Sequence, residues 1–159
     1  MIAWRLARFD ELSPRDVHDL FQARAAVFVV EQACAFQDLD GVDPECWHLL
    51  GRSGAAGARL VAYCRLVPPG VKYAEPSIGR VVTVSDVRRT GLGRILMREA
   101  LAAAAKLWPG RPIRIGAQQR LERFYSDFGF ATASAPYDED GILHVEMVRP
   151  ASREKAAQD

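Results

Sequence analysis

The chain has 159 residues, of which 49% are hydrophobic and 26% are charged. These fractions are typical of globular domains and exclude a disordered tail protein, a collagen-like fibre and a disulfide-built mini-protein. The 21 Lys and Arg residues nearly balance the 20 Asp and Glu residues, which argues against a general nucleic-acid or membrane-surface binder. We therefore expect one domain over residues 1–150, followed by a flexible C-terminal tail at residues 151–159.

The cysteines and the apolar stretches indicate the compartment. No apolar run approaches the roughly 18 residues of a membrane span, and the N-terminus lacks the pattern of a signal peptide. Three cysteines without tight pairing spacing favour reduced thiols and a cytoplasmic protein. We expect no metal site, because Cys46 and His48 have no second close pair and residues 38–43 lack the pattern of a calcium loop.

The first predicted elements are a strand at residues 3–9 and a helix that runs to about Val30. The helix starts with Ser13 as N-cap and Pro14 at the first helical position. Residues 31–45 are rich in turn formers and are predicted to be irregular. Three strands follow, at residues 47–50, 59–67 and 78–84.

The second half alternates helices and strands. A long helix at residues 92–107 ends before Pro109 and Gly110, and a shorter helix at residues 121–128 ends at Gly129. The remaining predicted strands are residues 112–117, 130–135 and 142–148, the last two lying either side of an acidic turn at 137–141. This order predicts a mixed α/β domain, in the α+β sense.

The most informative segment is a glycine-containing loop between a strand and the long helix. Gly91 and Gly93 allow a ligand to approach the free N–H groups at the helix start. Arg88, Arg89 and Arg94 add positive charge at the same place, where the helix dipole is also positive. The loop therefore predicts a phosphate or pyrophosphate site.

Three phosphate motifs compete for this loop, beside an ordinary turn with solvated arginines. A P-loop requires a lysine after the glycines, which is absent. A dinucleotide fingerprint requires a third glycine, where this chain has Leu96. The pattern Arg-x-x-Gly-x-Gly, formed by Arg88, Gly91 and Gly93, resembles the pyrophosphate loop of the GNAT acetyltransferases, which bind acetyl-coenzyme A.

Further segments strengthen the resemblance to GNAT proteins. Tyr125 to Phe130 is similar to their Tyr-x-x-x-Gly-Phe motif, and Gln118 stands seven residues before the tyrosine. Residues 24–32, 40–43 and 137–144, together with His48, resemble the ElaA-type branch of the family. The resemblance extends from about residue 4 to residue 148, and it departs at Leu143, where proline is expected.

The resemblance implies a fold and a reaction. The fold is that of acyl-CoA N-acyltransferases, with a central mixed β-sheet of about seven strands flanked by helices. The reaction is transfer of an acetyl group from acetyl-CoA to a primary amine of a small molecule or peptide, by direct attack in a ternary complex. The charge balance predicts no nucleic-acid or membrane partner, a homodimer is possible, and the resemblance does not supply the identity of the amine.

The resemblance also implies roles for individual residues. The backbones of Val82 and Val84 would pair with the pantetheine arm, and an N–H there would polarise the thioester carbonyl. Tyr125 would protonate the departing thiolate, although a phenol pKa of about 10 exceeds a thiol pKa of about 8.5. The implied coenzyme-binding residues are Val82, Thr83, Val84, Arg88, Arg89, Thr90, Gly91, Leu92, Gly93, Arg94 and Gln118.

The base that neutralises the amine stays open. Many relatives have a glutamate on the central strand, where this chain has Arg80. The candidates are Glu31, which we assign as catalytic, and His48, Glu139 and His144. The predicted acceptor-binding residues are Phe28, Gln32, His48, Glu139 and His144.

Two other functions remain as alternatives. Residues 24–32 also resemble the start of acyl-homoserine-lactone synthases, which take acyl chains from carrier protein and use S-adenosylmethionine. The intact loop around Gly91 favours coenzyme A instead. A non-catalytic coenzyme A sensor would bind ligand without turnover, and the retained Tyr125 argues against it.

Overall fold

Two antiparallel sheets form the framework of the computed structural model, which describes residues 1–151. The predicted tail therefore lies, from residue 152 onward, outside the described residues. The first sheet has the order β1–β2–β3–β4, formed by Ala3–Arg8, Trp47–Ser53, Arg59–Val67 and Ser77–Thr83. In the second, β8 (Ile142–Arg149) pairs with β5 (Ile113–Gln118), β6 (Ala131–Thr132) and β7 (Tyr137–Glu139).

The prediction of one central mixed sheet of about seven strands is therefore corrected to two sheets that separate between β4 and β5. The register of β3 and β4 shifts between Tyr63 and Arg65, and Arg80 on β4 has a φ of +51°, so β4 carries a bulge. The N–H of Arg114 donates to the C=O of Pro76 (3.1 Å) where β4 and β5 begin. Further along, a cavity lies between the two strands.

The first helix changes its winding before it reaches the cavity. Helix α1 (Pro14–Arg24) begins with a reciprocal cap, in which Ser13 Oγ accepts from the N–H of Asp16 and the Asp16 carboxylate returns the bond, each at 3.0 Å. A π-helix, Ala25–Glu31, then continues the chain, where the sequence predicted one uninterrupted α-helix. Such wide turns are frequent at functional sites.

The other helices begin close to their predicted positions. Helix α2 (Leu92–Leu107) presents Leu96, Met97 and Ala100 to the core, at the three- and four-residue spacing that its sequence predicts. Helix α3 (Glu122–Ser126) is shorter than the predicted 121–128: it begins after a 3₁₀ turn at Gln119–Leu121 and ends with Asp127 as its C-cap. In residues 1–151, no helix has both the length and the apolar content needed to cross a membrane.

The C-terminal region differs most from its prediction. The strand predicted at 130–135 is limited to β6, and the acidic segment predicted as a turn is the strand β7. Its two turn residues, Asp140 and Gly141, have φ values of +52° and +82°. This is the backbone of a type I′ hairpin, for which Asp-Gly is a preferred pair.

Candidate active site

A cavity of about 580 Å³ lies between the diverging strands β4 and β5. The π-helix, the loop that follows it, helix α3 and the β7–β8 hairpin close its sides. Of the predicted site residues, the following line it: Phe28, Glu31, Gln32, Val82, Thr83, Arg88, Gly93, Gln118, Tyr125, Glu139 and His144.

The other predicted residues do not line the cavity. Leu92 is buried in the core, and Arg94 pairs with Asp127 at 2.9 Å. Val84, Arg89, Thr90 and Gly91 lie on the loop outside it.

His48, predicted to bind the acceptor, is fully buried away from the cavity. Its Nε2 donates to the C=O of Asp43 (2.9 Å), and its Nδ1 accepts from the hydroxyl of Tyr63 (2.7 Å), in the tautomer that satisfies both partners. Burial lowers the pKa of His48, so its neutral form is favoured. The structure thus corrects the prediction, because both ring nitrogens serve the fold.

Along the edge of β4 that β3 does not pair with, the free backbone groups are those of Thr83 rather than those of Val82 or Val84. The N–H of Val84 donates to the C=O of Val61 on β3 (3.0 Å), and the C=O of Val84 accepts from the N–H of Val87. Val82 lies opposite Tyr63 in the same register, so alternation along the strand turns the backbone of Thr83 to the open edge. The backbones of Val82 and Val84, predicted to pair with a ligand, therefore face β3 or the loop.

The glycine loop ends in an accessible helix start. Gly91 is the N-cap of α2 with a φ of +86°, a conformation that a side chain makes costly. A Cβ at Gly93 would meet only a ring atom of Phe124, at 3.9 Å. The N–H groups of Leu92 and Gly93 precede the intrahelical ladder and are free for a ligand, whereas that of Arg94 donates to the C=O of Gly91 (3.2 Å).

Glu31 and Arg88 form an ion pair at the edge of the cavity. Nη1 and Nη2 of Arg88 donate to the two carboxylate oxygens of Glu31, at 2.5 and 2.8 Å, and Nε donates to the C=O of Thr83 at 3.2 Å. The hydrogen bonds from Arg88 lower the pKa of Glu31. Glu31 is therefore hydrogen-bonded to the guanidinium of Arg88 that was predicted to bind pyrophosphate. In this arrangement the carboxylate of Glu31 is a weak proton acceptor.

Tyr125 lies at the inner wall of the cavity. Its ring makes edge contacts with Phe124 and Phe130, at centroid distances of 5.1 and 6.1 Å. Burial raises the pKa of Tyr125, so the phenol is protonated at neutral pH and can donate a proton.

The β7–β8 hairpin contributes His144 and Glu139 on the opposite side. Nδ1 of His144 donates to the C=O of Ile142 (2.7 Å), and its Nε2 lies 3.4 Å from Oε2 of Glu139. The imidazole is stacked on Tyr137, with ring centroids 6.0 Å apart. Close by, the hydroxyls of Tyr137 and Tyr73 would lie 3.1 and 3.2 Å from a Cβ at Gly116, so a larger residue at this position on β5 would displace both tyrosines.

A buried ion-pair cluster below the cavity was not anticipated from the sequence. Arg24 is fully buried and donates to Asp38 (2.9 Å) and Asp43 (2.6 Å). Arg65 donates to the two carboxylate oxygens of Asp40 at 2.6 and 2.9 Å. Burial opposes ionisation of Asp40, but the hydrogen bonds from Arg65 outweigh burial, so the pKa of Asp40 falls well below its usual range. The cluster comprises Arg24, Asp38, Asp40, Asp43, Arg65 and Arg80.

Several other cavity residues were not singled out by the sequence analysis. Arg80, noted there only for the missing glutamate, donates through Nε to Asp38 at 2.8 Å. The signal that could have revealed the ion-pair cluster was the acidic run at residues 38–43, because the carboxylates that become buried, Asp38 and Asp43, require cationic partners. The remaining additions to the cavity lining include Cys34, Phe36, Asp40, Lys72, Gly116 and Arg120. No group of three or more potential metal ligands is found among residues 1–151.

The split sheet, the cavity and the glycine loop at a helix start define the class of acyl-CoA N-acyltransferases. A solved structure titled an acyl-CoA N-acyltransferase from Pseudomonas aeruginosa superposes with a TM-score of 0.87 and 37% identity, covering 94% of this chain and 99% of that one. The predicted fold class is thereby confirmed.

The chain belongs to the GNAT acetyltransferase family, whose domain pattern, "Acetyltransferase (GNAT) domain", matches residues 56–150. It is 39% identical to the protein ElaA of Escherichia coli over 94% of this chain and 97% of that protein. The crystal structure of ElaA superposes with a TM-score of 0.86. A UPF0039 protein of Synechocystis is 40% identical, over 92% of this chain and 94% of that protein. The predicted ElaA-type resemblance is confirmed.

Proposed function

We propose that this acyltransferase uses acetyl-CoA as its donor and acetylates a primary amine of a small molecule or peptide, by direct attack in a ternary complex. The observation that carries the proposal is one continuous cavity. It is lined at one end by Arg88 and Gly93 of the glycine loop and at another by His144 and Glu139, with Tyr125 in its wall. A donor and an acceptor can therefore meet inside it.

The donor would lie along the glycine loop and β4. The free N–H groups at the start of α2 and the charges of Arg88 and Arg89 support a pyrophosphate there. The open edge at Thr83 supports pairing of the pantetheine arm with backbone groups, as an added strand would pair. Gln118, at the end of β5, faces this channel and donates to Gln32 at 3.1 Å.

The chemistry would use direct attack and one proton donor. The amine attacks the thioester carbon, and a backbone N–H of the open β4 edge stabilises the oxyanion. Tyr125 donates its phenolic proton to the departing thiolate. A high pKa keeps this proton in place at neutral pH, and burial of the thiolate in the same cavity raises the affinity of sulfur for it.

The compartment forms part of the same proposal. All three cysteines are free, and each is buried. Reduced thiols support a cytoplasmic enzyme, where acetyl-CoA is available.

The test measures binding and turnover separately. Thermal shift with acetyl-CoA, propionyl-CoA and free CoA reports donor binding, and thiol release reports turnover across polyamines, amino acids, aminoglycosides and peptides. We expect stabilisation by acetyl-CoA and thiol release with at least one amine. No stabilisation by any CoA species would exclude the proposal, and stabilisation without thiol release on any acceptor would favour a sensor.

A loop variant locates the donor site. Gly91→Asp should lose CoA binding, because it places a carboxylate where the pyrophosphate is proposed to bind. Gly110→Asp is the matched control, since Gly110 also has a positive φ (+70°) but follows α2 at its other end. Equal CoA affinity in both variants would show that the loop is not the donor site.

A further inference from the structure

Few groups in the cavity can take a proton from an ammonium ion. Among the described residues that line it, the carboxylates are those of Glu31, Asp40, Glu139 and Asp140, and the imidazole is that of His144. Glu31 accepts two hydrogen bonds from Arg88, and Asp40 accepts two from Arg65. Carboxylates bound in this way give up their guanidinium partners only at a cost, so they are poor bases. The β7–β8 hairpin supplies the remaining groups.

The hairpin orients the imidazole of His144 for proton transfer. Its Nδ1–H donates to the C=O of Ile142 at 2.7 Å, which leaves the lone pair of the neutral ring on Nε2. That atom lies 3.4 Å from Oε2 of Glu139, whose side chain is half exposed. A protonated Nε2 would donate to this carboxylate, so Glu139 stabilises the imidazolium that forms.

Other titratable groups also surround the imidazole. Tyr137 of β7 is stacked on the ring, and Asp140 of the turn accepts from the thiol of Cys34 through its C=O at 3.3 Å. Lys72, from the connection between β3 and β4, lies near Glu139 at the cavity rim. Glu139 and Tyr137 therefore contact the imidazole, and Asp140, Cys34 and Lys72 line the same cavity. Arg120 donates to Gln118, which lies opposite His144 on β5.

We propose that His144 is the general base of the reaction and that Glu139 binds the ammonium group of the acceptor beside it. The inference rests on the proposed acetyl transfer and names the residues that prepare the amine. An ammonium group has three N–H donors, so one can bond to Glu139 while another points to Nε2 of His144. The acceptor is accordingly a cationic aliphatic amine.

The proton balance of the step is complete. Nε2 of His144 takes one proton from the ammonium and later releases it to solvent. The neutral amine forms the C–N bond, the C–S bond breaks, and Tyr125 protonates the sulfur. The amide nitrogen loses its second proton to solvent, and the tyrosinate regains one from solvent, so each turnover releases one net proton.

The test compares His144→Gln with His18→Gln, because His18 is an exposed histidine outside the cavity that pairs with Asp19. With an aliphatic amine accepted by the wild type, we expect kcat/KM of His144→Gln to fall about 100-fold or more at pH 7. The acid limb of the pH profile should move in His144→Gln toward the pKa of the amine itself, because only amine that is already neutral can then react. With an aromatic amine, which is already neutral at that pH, kcat/KM of His144→Gln should fall far less. The affinity for acetyl-CoA should not change in either variant.

The outcomes separate this inference from the proposed function. No thiol release by the wild type would reject the proposed function itself. An active wild type whose His144→Gln variant shows the acid limb at the same pH as the wild type, or loses activity equally with both amine classes, would overturn the role of His144. If His144→Gln does not fold, His144→Asn, whose amide can still donate to the C=O of Ile142, is measured by the same profile.

Discussion

Arg88 donates both of its terminal nitrogens to Glu31, at 2.5 and 2.8 Å, so any anion that binds Arg88 competes with that carboxylate. Both side chains are more than a third exposed, and pairs of this kind contribute little to stability. The pair instead sets the charge at the proposed donor end of the cavity. At this position, the ion pair with Glu31 decides how much of the charge of Arg88 is available to a ligand.

Glu31→Gln should tighten CoA binding, because the neutral amide competes less with pyrophosphate for Arg88. We expect the dissociation constant, measured by calorimetry, to fall about 2- to 5-fold. Glu45→Gln removes the same charge at an exposed position outside the cavity and should leave the constant unchanged. A weaker affinity in Glu31→Gln would instead indicate that the carboxylate supports the coenzyme.

Tyr125→Phe should lower kcat about 100-fold or more while CoA affinity changes little, because only the proton donor is removed. The phenyl ring preserves the contacts with Phe124 and Phe130. Steady-state kinetics and the thermal unfolding midpoint check the two halves of this expectation. An unchanged kcat would remove Tyr125 from the chemistry.

Irregularities in the secondary-structure elements shape the cavity. The bulge at Arg80 separates β4 from β5, and the π-helix carries Phe28 and Glu31 to the rim. The tight turn at Asp140 and Gly141 sets the β7–β8 register, in which Tyr137 lies opposite His144. Each irregularity costs backbone energy that a regular element would not, and each borders the cavity.

Gly141→Ala should destabilise the hairpin, because an alanine is strained at a φ of +82°. We expect about 1 kcal/mol less free energy of unfolding, together with a higher KM for the amine. Gly110→Ala, at a φ of +70° after α2 and outside the cavity, should lose similar stability and keep KM. Urea unfolding and kinetics on both variants check this; an equal KM in the two would separate the hairpin from acceptor binding.

Across the whole molecule, the buried ion-pair cluster joins parts that are distant in the chain. Arg24 of α1 and Arg65 of β3 both bind Asp43, and Arg80 of β4 binds Asp38. The cluster thus ties the loop before β2 to both the first helix and the strand that borders the cavity. Buried pairs of this kind specify an arrangement, because a lone remaining charge is strongly disfavoured.

Arg24→Met should lower the free energy of unfolding by about 3–5 kcal/mol, because Asp38 and Asp43 would lose a buried partner. Chemical denaturation measures the change. Arg59→Met breaks the exposed pair with Asp86 and should have little effect. A small loss in Arg24→Met would mean that water or Arg65 compensates for the missing charge.

Stability should fall as the pH drops below about 6.5. Burial lowers the pKa of His48, so below its ordinary value the unfolded chain binds a proton that the folded chain does not. The contribution is full above the unfolded pKa and is lost as the pH falls through the folded one. The lowered pKa of Asp40 adds a second loss at more acidic pH.

The free energy of unfolding between pH 7 and pH 5 measures the contribution of His48. His48→Gln should flatten the slope of stability against pH over this interval, whatever its absolute stability. His18→Gln, which changes an exposed imidazole, should retain the wild-type slope. Equal slopes in all three proteins would remove His48 as the cause.

Local signals determined much of what the sequence could predict. The apolar spacing of α2 and the Ser13 cap depend on neighbours within a few residues, and both elements begin where expected. The conformation of the loop at Gly91 could be predicted for the same reason, since a positive φ and the start of a helix are local properties. Asp140 and Gly141 carried an equally local turn signal, which was recognised, whereas the short strand β7 before them was not.

The sequence by itself determined the α/β class, the order of most elements and the family to which the chain belongs. Tertiary structure alone decided that the sheet divides beside Arg80, that His48 is buried, and that Glu31 meets Arg88 across 57 positions of chain. The physical reason is range: helix periodicity and turn conformation depend on adjacent residues, whereas burial and ion pairing depend on which distant segments the completed fold brings together.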